Sequence, residues 1–110
     1  MAFKNITTEG EFVEALNSAP GRRVIVQVGR QFCGPCAMAE ALLKKMEQSP
    51  GGFDLVKIDC DKAPALAARL NVSTVPAFAI YQDNVVVETF VGLRTRGYFC
   101  AALGLDLAAV

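Results

Sequence analysis

The stretch RVIVQVGRQFCGPCAMAEALLKKM, residues 23–46, decides how the rest of the chain is read. Its first six residues are a nearly continuous β-branched run interrupted by Gln27, the pattern of a strand buried on both faces. Its second half spaces Ala39, Leu42, Leu43 and Met46 as i, i+3, i+4 and i+7, which predicts an amphipathic helix. Pro35 suits that helix's first turn, and Glu40 precedes Lys44 by four residues, the favourable order for an ion pair. Between strand and helix stand two thiols, Cys33 and Cys36, with Gly34 and Pro35 between them.

Three roles are open to such a pair: a metal clip, a structural disulfide or a reversible redox switch. A zinc site wants four ligands, usually a second CxxC or a histidine pair. Cys60 and Cys100 stand 40 residues apart and the chain has no histidine, so no metal is expected. A structural link across so short a loop removes little unfolded-state entropy. Redox exchange fits the position best. Cys33 falls at the helix start, where unpaired N–H groups and the helix dipole favour an anion and lower a thiol's pKa. Cys36 lies one turn inside, further from solvent, and suits the resolving role.

Working outward, a short strand is expected around residues 2–6, followed by a capping box at Thr8-Glu9-Gly10-Glu11. Phe12, Ala15, Leu16 and Ala19 then keep helical spacing until Pro20-Gly21. Beyond the central stretch, residues 49–52 (SPGG) end the helix, and FDLVKID reads as a strand. A short helix over 64–70 is closed by Asn71. AFAIYQ and VVVETFVG, separated by Asp83-Asn84, read as an antiparallel hairpin. A last helix runs from about Thr95 to near Gly104, leaving LDLAAV as a tail. The order β-α-β-α-β-α-β-β-α predicts one α/β domain over 1–110, a central mixed sheet with helices on both faces.

Composition narrows the function classes. Hydrophobic residues make up 53% of the 110 and charged ones 20%, which is globular, not disordered. Eleven basic and eleven acidic side chains cancel, and no basic cluster points to nucleic acid or an anionic membrane. The opening MAFKNITTEGEF lacks the apolar core of a signal peptide, and no uncharged apolar run is long enough for a membrane span, so a cytoplasmic location is expected.

These motifs together resemble the thioredoxin family, from Phe3 to Leu103. The family motif W-C-G-P-C is matched by Phe32-Cys33-Gly34-Pro35-Cys36, its cis-proline by Pro76 in TVPAF, its buried lysine by Lys57 in LVKID, and the glycine that admits a substrate backbone by Gly92 in FVGL. The resemblance implies the thioredoxin fold and a dithiol–disulfide oxidoreductase that reduces protein disulfides. Cys33 would be its nucleophile and Cys36 its resolving thiol, with Phe32, Gly34, Pro35, Gln27 and Lys57 supporting them. Val75, Pro76 and Gly92 would receive the substrate. A thioredoxin-reductase-like donor would supply electrons, and no organic cofactor is implied.

The chain also departs from the pattern. Gln27 replaces the family's buried aspartate, Gly29 its tryptophan, Arg30 an alanine, Ala37 a lysine and Ala41 the helix-kinking proline. The alternatives kept open are a tryparedoxin-like relay to a peroxidase and a non-enzymatic protein-binding module. Gln27 reads either as a hydrogen-bonded core amide or as a tuned site residue, and Lys57 as a buried ammonium in preference to a snorkelling one. Cys60 and Cys100 read as small buried hydrophobes in preference to regulatory thiols, and Arg30 and Arg94 as solvated charges or as rim residues that select an acidic partner. Phe99, Leu103, Leu105 and Leu107 make an apolar end that either folds back on the core of a monomer or forms a dimer contact.

Overall fold

The computed structural model describes residues 3–48 and 52–105. Five strands and four helices follow in the order β1 (Phe3–Ile6), α1 (Glu9–Asn17), β2 (Arg23–Gly29), α2 (Gly34–Glu47), β3 (Asp54–Asp59), α3 (Pro64–Arg69), β4 (Ala77–Gln82), β5 (Val85–Val91) and α4 (Arg96–Leu103). The expected order is the observed one. Ala2, residues 49–51, Leu107 and the tail after Leu105 lie outside the described residues.

Local chemistry explains most boundaries. Thr8 caps α1 through the expected box, accepting from the Glu11 N–H at 3.1 Å while the Glu11 carboxylate accepts from the Thr8 N–H at 3.2 Å. The helix stops at Asn17, with Ser18 as its cap, so Ala19 packs into the core from outside the helix. Asp83 and Asn84 take φ of 52° and 69°, the left-handed pair that a tight hairpin between β4 and β5 needs. Gly104 ends α4 at φ 71°, where a Cβ would be strained.

The sheet runs β1-β3-β2-β4-β5. β1, β3 and β2 are parallel, and β4 and β5 join antiparallel to β2 and to each other. Because β2 is central, its two faces feed two separate cores. Val24, Val26 and Val28 meet Phe12 and Ala15 of α1 and Leu66 and Ala67 of α3 on one side. Ile25 meets Ala39, Leu43 and Met46 of α2 and Phe99 and Leu103 of α4 on the other. Phe99 and Leu103 therefore fold back on the core. The C-terminal end of β2 runs straight into the loop that starts α2, and the parallel β3 ends beside it.

Candidate functional site

Cys33 is the N-cap of α2, and Cys36 sits in its first turn with Pro35 beside it. The two sulfurs form a disulfide. The Cys36 N–H points at Cys33 Sγ at 3.2 Å, so a free backbone donor of the helix start is spent on that sulfur. Cys33 is half-buried, whereas Cys36 is 5% exposed. Gly34 and Pro35 are exposed, and the Phe32 ring stands fully in solvent on a backbone of φ 58°. An aromatic left bare beside two cysteines is not there for the core.

Beneath the pair lies Gln27, wholly buried and the one buried polar side chain among the described residues. Its Nε2 donates to the Cys36 carbonyl at 2.9 Å, while its Oε1 is buried with no hydrogen-bond partner among those residues. Its amide nitrogen is thus bonded within the core, and its acceptor belongs to Cys36. A side chain at Gly29 would place its Cβ 3.2 Å from Cys36 Cβ and Sγ, tighter than ordinary contact. Glycine lets β2 run close under the Cys36 sulfur.

Strand register brings the remaining candidates to the same end of the sheet. Val28 lies opposite Ala77, and Ala77 opposite Val91, so Val75-Pro76 and Gly92 flank the end of β2. The Val75–Pro76 bond is cis, and the Gly92 N–H donates to the Pro76 carbonyl at 2.8 Å. Gly92 has φ 95°, and a Cβ there would meet nothing within 4 Å, so backbone conformation and not crowding demands glycine. Val91 and Leu93 are exposed on either side of it.

Lys57 is the main correction. It is half-buried, not enclosed under the dithiol, with its side chain 30% exposed and Nζ 2.5 Å from Glu40 Oε1. A flexible ammonium facing a helix carboxylate takes the ion pair rather than an unpaired burial. Glu40 also holds Lys44 at 2.9 Å, the pair the helix spacing predicts. Burial pushes the Glu40 carboxyl up, but Lys57 and Lys44 outweigh it and leave the group below its ordinary pKa. Glu40 was legible only as a partner of Lys44.

The arginines also settle differently. Arg94 is half-buried, its guanidinium 4.9 Å from the Tyr98 ring centroid and 5.7 Å from that of Phe90, which is packing and not a free rim charge. Arg30 is exposed and pairs with Asp61 at 3.5 Å. The Cys60 side chain and then Asp61 raise its pKa above the ordinary arginine value. Cys100 is buried as expected, whereas Cys60 is half-exposed beside Arg30.

A family model described as Thioredoxin matches residues 3–103. The chain belongs to the thioredoxin family. Among curated relatives, a thioredoxin of Streptomyces clavuligerus is 31% identical over 93 residues, covering 84% of this chain and 85% of that one. A thioredoxin of Equus caballus is 29% identical over 102 residues, covering 93% and 97%. Among solved structures, a mutant thioredoxin from Halobacterium salinarum NRC-1 has the same fold at a TM-score of 0.84, with 24% identity and coverage of 93% and 88%. Thioredoxin F from spinach chloroplast superposes at 0.78 with 28% identity, covering 94% and 91%. Thioredoxins are dithiol–disulfide oxidoreductases, and this chain is a thiol–disulfide oxidoreductase carrying the Cys33–Cys36 pair. No helix among the described residues is long and apolar enough to cross a membrane.

Proposed function

We propose that this protein works in the cytoplasm as a monomeric single-domain electron carrier, reducing protein disulfides with Cys33 as nucleophile and Cys36 as resolving thiol. The observation that carries the assignment is the asymmetry of the pair. Cys33 is the more exposed and takes the Cys36 N–H on its sulfur, a contact that stabilises a thiolate; Cys36 is buried behind it. The Cys33 thiolate attacks one sulfur of a substrate disulfide, forms a mixed disulfide and expels the other sulfur, which takes up a proton. Cys36 then loses its proton and attacks Cys33 Sγ. The Cys33–substrate bond breaks, the second substrate thiol leaves protonated, and the protein, having passed two electrons to the substrate, is left with the Cys33–Cys36 disulfide. A thioredoxin-reductase-like donor returns two electrons to it.

Exposed Phe32, Val91 and Leu93 support an apolar protein surface as the substrate, with Val75 and Pro76 lining its approach and Gly92 leaving room for its backbone. Phe32, Gly34 and Pro35 shape the exposed loop, and Gln27 and Lys57 support the site from below. Limited alkylation of the reduced protein near neutral pH, followed by peptide mapping, labels Cys33 first. Cys36→Ser accumulates mixed disulfides with substrate, and Cys33→Ser has almost no turnover. Preferential labelling of Cys36 or Cys60, or equal trapping by both serine variants, overturns the assignment.

A further inference from the structure

Glu40 follows Cys36 by one turn of α2, so the two side chains are neighbours on the helix surface, about 5–6 Å apart at Cβ. Its side chain is 19% exposed, and its carboxylate is shared by two ammoniums. Lys44 belongs to the same helix. Lys57 belongs to β3 and lies directly opposite Gln27 in the sheet, so the Glu40–Lys57 pair crosses from helix to sheet beside the dithiol. Gln27, in the place of the family's acid, carries no charge to balance that ammonium. It does carry a buried, unpartnered Oε1. An ammonium released by Glu40 has an acceptor waiting in register with it, on the side of Cys36.

The other groups around Lys57 leave this balance to Glu40. Asn5 faces it from β1 and is uncharged. Asp59 lies two residues on along β3, on the same face, and accepts the Asp61 N–H at 2.9 Å. With Asp59, Gln31 and Lys62, Lys57 lines a hollow of about 350 Å³, which holds Lys62 as a second cation alongside Asp59.

We infer that Glu40 is a positioning residue, holding the Lys57 ammonium against α2 and away from Gln27 and Cys36, and thereby keeping the dithiol more reducing. A positive charge brought closer favours thiolate over thiol, and a stabilised thiolate makes the pair more oxidising. The inference rests on the reading of Cys33 and Cys36 as the reactive dithiol.

The test follows thiolate absorbance against pH, and the dithiol–disulfide equilibrium against glutathione, in wild type, Glu40→Gln, Glu40→Asp, Lys57→Met and the Glu40→Gln/Lys57→Met double variant. In Glu40→Gln the first thiol pKa falls by about half to one unit. The equilibrium moves about three- to tenfold toward the reduced protein, the upper figure corresponding to about 30 mV. Glu40→Asp restores most of both, because a shorter carboxylate still holds an ammonium. In the Lys57→Met background the Glu40→Gln shift shrinks to less than half. An unmoved or raised pKa in Glu40→Gln overturns the inference, and so does a shift of full size without Lys57, which would make the carboxylate's own charge the cause. Insulin reduction by wild type with a dithiol reductant separates the two levels. No turnover there defeats the dithiol reading itself, while turnover with titration insensitive to Glu40 defeats only the positioning role.

Discussion

The two faces of the sheet are built to different rules. Against α1 and α3 the buried cluster is apolar, from Ile6 and Phe12 through Val24, Val26 and Val28 to Leu66. Against α2 and α4 the cluster is equally apolar at Leu43, Phe53, Ile80 and Phe99, but it is interrupted beside the dithiol. There Asn5, Lys57 and Gln27 face one another across three adjacent strands, exposed, half-buried and buried in turn. Glu40 reaches this row from the helix above. One face holds the protein together. The other gives up some apolar contact to keep a short polar path next to a sulfur that must gain and lose a proton.

The sharpest way to break that comparison is a large-to-small change on the apolar face. Phe12 is 2% exposed and meets Tyr81 edge-on, with ring centroids 5.8 Å apart. Phe12→Ala costs about 3–5 kcal/mol of stability through lost burial and the cavity left behind. Turnover per folded molecule and the thiol pKa stay at wild-type values, since no group of the polar row moves. Urea unfolding monitored by circular dichroism gives the first quantity, and insulin reduction at low temperature the second. A changed thiol titration in folded Phe12→Ala would mean the two faces are coupled through the sheet.

Gln27→Asp acts on the other face. A carboxylate beneath the dithiol opposes thiolate formation by like-charge repulsion. The thiol pKa is therefore higher in Gln27→Asp than in wild type, and wild type is the more oxidising. One pKa unit corresponds to roughly 1.4 kcal/mol and about 30 mV for this two-electron couple. Thiolate absorbance and glutathione equilibrium read both. An unchanged or lower thiol pKa in the aspartate variant leaves Gln27 a packing residue.

What sequence could and could not reveal follows the range of the interactions. Capping at Thr8, the turn at Asp83-Asn84 and the Gly104 stop are local chemistry, so their residues announce them. The CGPC pair is local too, because three residues and one helix start bring the sulfurs together. Lys57 is different. Its partner lies 17 residues earlier on another element, and helix spacing points Glu40 at Lys44 with no hint of a second claim. Arg94 likewise looks like a surface charge until Phe90 of β5 and Tyr98 of α4 bring their rings around it. The buried aliphatic run of β2 hid which face Gln27 takes. Register with Lys57 and Phe78 settles that it is the α2 face.

The smallest expected effect tests the polar row by acid. The Glu40 carboxyl is pushed up by burial and pulled further down by Lys57 and Lys44, so its folded pKa lies below its unfolded one. A carboxylate depressed in this way stabilises the fold fully above its unfolded pKa of about 4.3, and that contribution disappears as pH falls through the depressed folded value. Wild type therefore loses more stability between about pH 5 and pH 2 than Glu40→Gln does. Partial exposure and salt screening hold the difference to about 0.5 kcal/mol. Glu11, lowered by the Thr7 and Thr8 backbone N–H groups at the start of α1, adds an acid dependence of its own. It is present in both proteins and cancels in the comparison. Urea midpoints at half-unit pH steps measure the difference, and raising the salt narrows it. Parallel acid limbs in the two proteins would show that Glu40 meets Lys57 with no net gain in the folded state, and would remove the hold on the ammonium that the polar row requires.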